Sequence, residues 1–411
     1  MSATVLRLDP LQVFLRLHRE RHVCFLAGTG PERWETVLAL DPAEVFTADA
    51  DDVEGFTAFV ERSGRAGRKV IGCLAYEVGC RLHRIPLRAR GDTGVPAIFF
   101  CAFDNYISFH GMQAVLRHAD TDFPAKVAAI AARQLLLPAA YPPCRFIPET
   151  CRRWYRTAFR KIKRSIYDGE IYQVNLAHRL TCCSDAPARE LFVSLMRKNP
   201  VGFLGFLDGG HFQILSASPE RFVKTDGDRI ATFPIKGTRP HGGTGAARRR
   251  AELVGSAKEQ AELNMITDLL RNDLGKVCRV GSVCVERPRV VRRCAAVWHA
   301  FSEVAGTLAP DITPVQALLS MLPGGSISGC PKKRALEIID ELEPAARSVY
   351  TGVIGTIEPD QGLDFNIAIR TIVKRGSRLW LHVGGGIVHE SDEEQEYRET
   401  LAKARSLQNL C

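Results

Sequence analysis

The chain has 411 residues, of which 45% are hydrophobic and 25% charged, and its formal net charge at pH 7 is +9. This composition is typical of a globular protein and excludes disordered, collagen-like and coiled-coil chains. No uncharged apolar run reaches the roughly 20 residues that span a bilayer, and the N-terminus lacks the apolar core of a signal peptide, so we expect a cytoplasmic protein without a membrane partner.

Short apolar runs alternate with turn residues in the first part of the chain. The runs Val70–Ala75, Ala97–Phe103 and Tyr106–Phe109 predict β-strands. Prolines then become frequent and predict a connector over the surface; they are Pro138, Pro142, Pro143 and Pro148. We therefore divide the chain into an N-terminal part, residues 1–140, and a C-terminal region, residues 141–411.

The densest basic stretch, Arg152 to Arg164, carries seven cations and no acid. Apolar side chains recur within it at helical spacing and Gly169 follows, which predicts an amphipathic helix that ends near this glycine. Such a helix places its charges on a solvated face. Because no recognition motif accompanies the charge, we expect no nucleic-acid partner.

The middle of the chain has clear turn and helix signals. Phe203–Leu207 and Phe212–Ala217 flank an Asp-Gly-Gly turn, which predicts a β-hairpin. A helical pattern then runs from Ala246 to Leu274 and predicts one long helix, closed by Gly275. Pro331–Leu342 predicts a further helix with a proline in its first turn.

The C-terminal pattern predicts two strands and a last helix. Phe365–Val373 and Leu379–Val388 form a predicted strand pair. The last helix is predicted to begin at Ser391, whose hydroxyl pairs with Glu394 in a capping box. Strands and helices are interspersed along the chain without regular strand–helix–strand alternation, so the pattern favours an α+β fold.

Thirteen cysteines are scattered along the chain, and this odd number favours reduced thiols over a disulfide framework. Cys73, Cys80 and His83 come nearest to a metal-ligand pattern, but no second Cys/His pair lies close by, so we interpret them as ordinary side chains. The motifs Gly-x-Ser-x-Gly and His-Glu-x-x-His do not occur. Serine hydrolases and zinc peptidases therefore have no support.

Two predicted helices carry pairs of acids at a spacing of three residues. Glu259 and Glu262 lie on the long helix, and Glu396 and Glu399 lie on the last one, so each pair projects from one helix face. Carboxylates on two helices can hold a hard divalent cation such as Mg²⁺. Solvated acidic faces have the same spacing, and the spacing alone leaves both interpretations open.

Three further features allow either a ligand or a structural role. Arg370, in a strand pattern, can bind a carboxylate in bidentate fashion or form a structural ion pair. Lys236, between apolar residues and turn formers, becomes a nucleophile if burial lowers its pKa and is otherwise a surface lysine. Gly384–Gly386, inside an apolar strand pattern, permits the close approach of a ligand or marks a bulge.

Several long segments together resemble one family, the chorismate-utilising enzymes, and within it the component I subunits of aminodeoxychorismate synthase. The matching segments are Ile171–Leu176, Ser216–Phe222, Pro234–Pro240, Asp268–Leu274, Pro323–Lys332 and Gly384–Glu399, with a looser match at Gly72–Glu77. The resemblance implies one α+β fold over the whole chain, like that of anthranilate synthase component I, in which two antiparallel-rich β-sheets pack face to face with helices on the outside.

The resemblance also implies a substrate, chorismate, and a cofactor, Mg²⁺. In the family the ion bridges the substrate carboxylate and enzyme acids, which match Glu262 and Glu399 here, with Glu259 and Glu396 around them. The positions that match the family's substrate contacts are Gly237, Thr238, Tyr350, Arg370, Gly384, Gly385 and Gly386. His299 matches a histidine near the substrate ring and is counted with the catalytic residues.

Two positions distinguish the reactions of the family. Enzymes that add water carry a lysine base where this chain has Gln173, and anthranilate synthases usually carry alanine where it has Lys236. The resemblance therefore implies that Lys236 attacks C2 of chorismate while Glu220 protonates the departing C4 hydroxyl. Ammonia then displaces the lysine and gives 4-amino-4-deoxychorismate, for p-aminobenzoate and folate synthesis. Anthranilate synthase component I is the alternative, and these residues together disfavour a non-catalytic scaffold.

The source of ammonia is expected to be a second protein. None of the cysteines lies in the Gly-x-Cys-x-Gly setting of an amidotransferase nucleophile, and 411 residues leave no room for such a domain beside the family fold. We therefore expect a separate glutamine amidotransferase subunit, in a heterodimer with this chain, to supply ammonia.

Overall fold

The computed structural model describes residues 2–30, 32–89, 91–135, 141–294, 297–408 and 410. In chain order its helices are α1 Pro10–Arg16, α2 Val53–Arg65, α3 Tyr76–Leu82, α4 Phe123–Ala132, α5 Arg152–Tyr167, α6 Ala188–Lys198, α7 Ala246–Gly255, α8 Ala257–Gly275, α9 Pro314–Met321, α10 Lys332–Leu342 and α11 Glu393–Arg405. A short 3-10 turn covers Gly325–Ile327. Within the described residues no helix combines the length and the apolar character needed to cross a membrane.

The other regular elements of the structure are strands. In chain order they are β1 Ser2–Arg7, β2 Cys24–Ala27, β3 Thr36–Ala39, β4 Glu44–Ala48, β5 Lys69–Leu74, β6 Ile98–Phe103, β7 Tyr106–His110, β8 Gln113–His118, β9 Ile147–Pro148, β10 Gln173–Cys183, β11 Phe203–Asp208, β12 Gln213–Ser218, β13 Arg221–Asp226, β14 Arg229–Thr232, β15 Ile235–Pro240, β16 Cys284–Cys294, β17 Val297–Thr307, β18 Gly329–Cys330, β19 Val353–Ile357, β20 Leu363–Ile367, β21 Thr371–Arg375 and β22 Arg378–Ile387.

These strands form two large antiparallel sheets. The first has the order β1-β8-β7-β3-β2-β11-β12-β21-β22-β10-β18, with β9 also paired to β10. The second has the order β15-β17-β14-β13-β20-β19-β5-β6-β4, with β16 also paired to β17. Strands from both sides of residue 140 occur in each sheet, while position 140 itself and Pro138 of the predicted connector lie outside the described residues.

One apolar layer lies between the two sheets. It joins Cys24 and Trp380 of the first sheet to Ile71, Phe99 and Ile354 of the second, and all five side chains are buried. Helices α1, α4 and α6 pack on the outer face of the first sheet, and α2 and α9 pack on the outer face of the second. The prediction of two face-to-face sheets with helices outside is confirmed.

Local sequence patterns predicted several elements correctly. The hairpin forms from β11 and β12, whose register pairs Phe203 with Ser218 and Asp208 with Gln213. The basic stretch forms α5, which buries its apolar stripe and leaves most of its cations on the solvated side. Gly169 follows this helix with φ +76°, a conformation in which glycine avoids the steric cost that a Cβ would bring.

The prediction of one long helix over 246–274 is wrong in one respect, because the helix is interrupted at Ser256. Residue 256 is extended, with ψ 104°, and separates α7 from α8. Its side chain accepts a hydrogen bond from the Glu259 N–H, so Ser256 caps the second helix. Serine has a low helix propensity and can accept a hydrogen bond from a free backbone N–H. Ser256 therefore begins a new helix where the hydrophobic periodicity predicts that one helix continues.

Two C-terminal predictions also need correction. The predicted strand Phe365–Val373 is divided, since β20 ends at Ile367 in the second sheet and β21 begins at Thr371 in the first. The last helix is capped by Asp392, which accepts from the N–H groups of residues 394 and 395. Ser391 instead donates to the Glu396 carboxylate at 2.7 Å.

Candidate active site

The chain crosses between the two sheets at two neighbouring places. Glu220 lies in the crossing from β12 to β13, and Arg370 lies in the crossing back from β20 to β21. The crossings are hydrogen-bonded to each other, since the Ile367 N–H donates to the Glu220 carbonyl at 3.1 Å and the Ala217 N–H donates to the Arg370 carbonyl at 3.1 Å. Two charged residues far apart in sequence are thereby held side by side.

Glu220 is a buried carboxyl group, with 6% of the residue exposed. Burial raises its pKa to about 7, although the Ser326 hydroxyl, the charge of Lys236 and the Ile235 N–H all oppose the rise. Ser326 Oγ donates to Glu220 Oε1 at 2.8 Å. The group can therefore hold a proton at neutral pH and deliver it to a departing oxygen.

Lys236 lies on β15 at the edge of the second sheet, with its amine facing four other charged side chains. Burial lowers the pKa of this amine, while the nearby carboxylates of Glu262, Glu220 and Glu399 partly offset the effect and Lys403 adds to it. Among the described residues no carboxylate lies within 4.0 Å of the amine. Lys236 is thus a lysine whose neutral, nucleophilic form is favoured by its surroundings.

Arg370 has an unusual backbone and no acidic partner. Its φ is +52°, a left-handed conformation that the crossing between the sheets imposes on a residue other than glycine. Burial lowers the pKa of its guanidinium. In the described part of the chain no carboxylate lies within ion-pair distance of Arg370, whereas the buried Arg347 and Arg221 each pair with an acid. Its charge is available to an anionic ligand.

His299 and Thr238 form a hydrogen-bonded pair beside Arg370. His299 Nδ1 lies 2.9 Å from Thr238 Oγ1. Burial, together with the charge of Arg370, lowers the pKa of His299 to about 4, so the ring is neutral at pH 7. His299 and Arg370 both line a cavity of about 200 Å³ that also contacts Ile235.

The glycine tripeptide Gly384–Gly386 lies on β22, directly opposite β10. A Cβ on Gly384 would come within 2.9 Å of Tyr350 Oη, and one on Gly386 within 3.1 Å of Gln173 Nε2. Because side chains alternate along a strand, Gly385 faces the other side, where a Cβ would lie 3.2 Å from Glu396 Oε2. The absence of side chains lets groups from three segments reach this backbone.

Tyr350 is a hydrogen-bond donor at neutral pH. Burial raises the pKa of its hydroxyl to about 12, so the proton is retained. The neutral ring of His382 stacks on the tyrosine, with ring centroids 5.4 Å apart and an angle of 13° between the planes. The Asn175 side chain interacts with the Tyr350 hydroxyl, and the side-chain amide nitrogen of Gln173 is buried without a hydrogen-bond partner. This end of the site therefore contains donors that can serve a carboxylate ligand.

Gly237 follows Lys236 and adopts φ +84°. A Cβ there would lie 2.7 Å from Leu253 Cδ1 and 3.0 Å from the Glu259 carboxylate. Glycine at this position is therefore required both by the backbone and by the close packing of α7 and α8.

The four predicted metal ligands lie on α8 and α11 but have different neighbours. Glu262 forms a long ion pair with Lys258, at 4.0 Å. Glu399 pairs with Lys403 at 2.9 Å, and although burial opposes it, this cation lowers the pKa of the Glu399 carboxyl. Both carboxylates act on Lys236, so they face the same space as the amine.

Glu259 and Glu396 lie beside this pair and form closer contacts with other side chains. Glu259 accepts from Arg239 at 2.8 Å, while its second oxygen is buried without a partner. Burial and the charge of Glu399 raise the pKa of Glu396. Within the described residues no three histidine, cysteine or acidic side chains converge on one point.

Ser326 was not among the predicted site residues, although it lies inside one of the segments that match the family. Its hydroxyl on the 3-10 turn contacts Glu220 across 106 residues of sequence. Serine occurs in many turns for conformational reasons, so the only available signal was its place in Pro323–Lys332. The contact with Glu220 became visible only when the turn and the crossing were placed together.

The fold and this group of residues define a chorismate-binding protein. The family model described as chorismate binding enzyme matches residues 21–409, and the chain belongs to this family. A solved relative has the same architecture: anthranilate synthase component I from Streptococcus pneumoniae TIGR4 superposes with a TM-score of 0.80 and 27% identity, over 92% of this chain and 93% of that one.

Sequence relatives carry two different names. The chain is 34% identical over 438 residues to anthranilate synthase component 1 1 of Haloarcula marismortui, a match that covers 98% of this chain and 90% of the relative. It is 36% identical over 341 residues to aminodeoxychorismate synthase component 1 of Klebsiella aerogenes, covering 82% of this chain and 76% of the relative. The likeness shows the family, and relatives with both names have a similar sequence identity to this chain.

Proposed function

We propose that the chain is the component I subunit of an aminodeoxychorismate synthase, which converts chorismate and ammonia into 4-amino-4-deoxychorismate. The observation that carries the proposal is the pair of Lys236 and Glu220. Burial shifts the pKa of the amine downwards and that of the carboxyl upwards, which favours the two protonation states that a nucleophile and a general acid need. An alanine at position 236 would leave the Glu220 carboxyl without a neighbouring amine.

The reaction proceeds in two balanced steps. In the first, the neutral Lys236 amine forms a bond to C2 of chorismate, the ring double bonds shift, and the C4 hydroxyl leaves as water with the proton of Glu220. In the second, ammonia bonds to C4, the double bonds shift back and the C2–N bond to Lys236 breaks. Lys236 leaves as a neutral amine, and the C4 ammonium group that forms returns one proton to Glu220.

Substrate binding is assigned to the cations and donors at the other end of the site. Arg370, which lacks an acidic partner, would pair with one carboxylate of chorismate, and the Tyr350 hydroxyl would donate to the same group. The backbone of Gly384–Gly386 would approach the substrate closely. Gly237, Thr238 and neutral His299 would contact the ring.

Glu262 and Glu399 would hold Mg²⁺, with Glu259 and Glu396 next to them. The donor set fits, because Mg²⁺ commonly takes one or two protein carboxylates and a buried Glu259 oxygen has no partner. When bound, the ion would supply positive charge against the substrate carboxylate. Lys258 and Lys403 neutralise the same acids and would turn away from them on metal binding.

The second candidate is anthranilate synthase component I, which the name of the Haloarcula relative favours. In that reaction ammonia attacks C2 directly and Lys236 forms no covalent bond. Incubation of the chain with chorismate, Mg²⁺ and an ammonium salt distinguishes the two, because the proposed product remains non-aromatic. Detection of anthranilate would overturn the proposal.

The isolated chain is expected to use ammonium but not glutamine, because its sequence has no amidotransferase nucleophile motif. Addition of a glutamine amidotransferase subunit from a relative's complex should restore the use of glutamine. Product formation is followed by liquid chromatography with each nitrogen source at equal concentration. Efficient glutamine-dependent turnover by the pure chain would contradict this prediction.

Glu262→Gln and Glu399→Gln are expected to raise the Mg²⁺ concentration for half-maximal turnover by at least about tenfold, because an amide replaces a charged oxygen ligand. A Mg²⁺ titration of initial rates measures this shift. Asp268→Asn on the same helix α8 is the matched control, since this exposed acid forms an ion pair with Arg271 at 3.0 Å and with no other residue that the structure describes. Identical titration curves for all variants would remove both glutamates from the metal site.

A further inference from the structure

A fully buried ion pair lies behind the glycine tripeptide. The side chain of Arg347 is 1% exposed and that of Glu343 6% exposed. Arg347 Nε and Nη2 donate to the two Glu343 carboxylate oxygens at 2.8 and 2.7 Å. This bidentate geometry is the strongest that the two groups can form.

The remaining N–H groups of Arg347 are also used. Nη1 donates to the Ile327 carbonyl at 3.0 Å and to Thr351 Oγ1 at 3.2 Å, and Nη2 donates to the Asn175 carbonyl at 2.6 Å. All five donors of the guanidinium are therefore satisfied. The rings of Tyr76 and Tyr350 lie 4.7 and 5.8 Å from its central carbon, so the group is held in one orientation.

The ion pair occupies a gap at the edge of the first sheet. Strand β10 pairs with β18 up to Val174 and with β9 from Leu180, and in the described sheet no strand pairs with the stretch between them on that side. There Arg347 donates to the Asn175 carbonyl, and Glu343 Oε1 accepts from the Ala177 N–H at 2.8 Å. The two side chains thus make the hydrogen bonds that a neighbouring strand would make.

The same stretch of β10 faces the tripeptide on its other side. Asn175 is opposite Gly386, and Ala177 is opposite Gly384. Through Ile327 the ion pair also holds the turn that carries Ser326, and through Thr351 it holds the residue after Tyr350. Three segments therefore meet at one guanidinium: β10, which pairs with the tripeptide, the turn that carries Ser326, and the segment that carries Tyr350.

We propose that Arg347 and Glu343 are positioning residues that set the affinity for chorismate, by holding β10 and Tyr350 in register with Gly384–Gly386. The inference rests on the proposed binding of chorismate at this backbone. Structural support by itself is a weaker explanation, because a buried ion pair commonly adds little net stability over apolar replacements. The geometry that it imposes is specific, since its hydrogen bonds to the rest of the chain end on β10 and on the residues next to Ser326 and Tyr350.

Calorimetric titration with chorismate and Mg²⁺ tests the inference in a Lys236→Ala background, where no covalent bond forms. We expect Arg347→Met to weaken chorismate binding by about tenfold to a hundredfold, since small displacements of binding groups have effects of this size. Arg347→Lys keeps the charge but has three donors instead of five, so it should bind with intermediate affinity.

The double variant Arg347→Met/Glu343→Gln separates positioning from stability. It leaves no unpaired buried charge, so it should remain folded by circular dichroism, yet it should bind chorismate as weakly as Arg347→Met. Thr351→Val, which removes one of the hydrogen bonds, provides a milder variant with a smaller loss of affinity.

Lys69→Met is the control, because the buried Lys69 of β5 pairs with Glu358, a partly exposed residue just after β19. These parts of the second sheet carry no proposed contact. It should lower the melting temperature without changing the affinity. Unchanged affinity in folded Arg347 variants, or equal weakening by Lys69→Met, would overturn the inference alone. Failure of the Lys236→Ala parent to bind chorismate would overturn the proposed function and this inference with it.

Discussion

Replacement of Lys236 by alanine is expected to abolish 4-amino-4-deoxychorismate formation, with a loss in turnover on the order of 10⁴-fold or more. Alanine has no nucleophile, so only the contacts that bind the substrate carboxylates remain. The wild-type chain, incubated with chorismate and Mg²⁺ but without ammonia, should accumulate an adduct on this lysine. The substitution should eliminate it.

Mass spectrometry measures the adduct directly. The intact chain should gain the mass of chorismate minus one water, because C4 loses its hydroxyl as the amine attacks C2. Peptide mapping should place the gain on the peptide that contains Lys236. Lys224→Ala, at an exposed lysine on strand β13 of the same sheet, is the control and should keep both the adduct and the activity.

The rate of adduct formation is expected to increase with pH on the acidic side of its profile. The amine attacks only when neutral, and burial lowers its pKa. The rate should therefore rise with pH through that lowered pKa. Full ammonia-dependent activity in Lys236→Ala, without any adduct in the wild type, would show that ammonia attacks chorismate directly and would favour the anthranilate reaction.

Substitution of Glu220 by glutamine should have the second-largest effect, a loss of about 10²–10⁴-fold in turnover. An amide cannot protonate the departing C4 oxygen, and hydroxide is a poor leaving group. The isosteric change keeps an oxygen that can accept from Ser326, so the fold should persist. Stopped-flow measurement of adduct formation isolates the step concerned, while the chorismate dissociation constant should change little.

Glu220 also predicts the falling limb of the pH profile. Burial raises its pKa to about 7, so the fraction of protonated acid decreases as pH rises through 7, and this loss of the proton donor opposes the gain from the neutral amine. Combined with the rising limb from Lys236, the profile is bell-shaped. Glu220→Gln should remove the falling limb.

Ser326→Ala provides a matched test of this assignment. The Ser326 hydrogen bond stabilises the ionised carboxylate and lowers its pKa, so its loss should move the falling limb to higher pH while the rising limb stays in place. A falling limb near pH 7 that is retained in Glu220→Gln and unmoved in Ser326→Ala would assign the proton to another group.

Elements whose signals are local were predicted well from the sequence. The hairpin around the Asp-Gly-Gly turn and the basic helix α5 depend on turn residues and on helical periodicity, which act over a few residues. The predictions failed where two local solutions compete. Ser256 can continue a helix or cap a new one, and Asp392 competes with Ser391 for the same free N–H groups.

The family and its candidate residues were also accessible from the sequence, because the matching segments are long and ordered. The division of the predicted strand 365–373 was not, since periodicity does not show that a chain leaves one sheet for another. That crossing creates the left-handed backbone at Arg370 and brings its guanidinium to a place without an acid. A sequence pattern cannot distinguish such an arginine from one in a structural ion pair.

The sequence by itself determined the short-range elements of this protein, its family and the residue types at the site, because periodicity, turn chemistry and motif order are local properties. Only the tertiary structure decided the chemistry that those residues can perform. The pKa of Glu220 and of Lys236 depends on burial and on charges contributed by distant segments, and the contacts of Ser326 and Arg347 join residues more than a hundred positions apart. Desolvation and Coulomb interactions act through space, so they exist only once the two sheets and their helices have packed together.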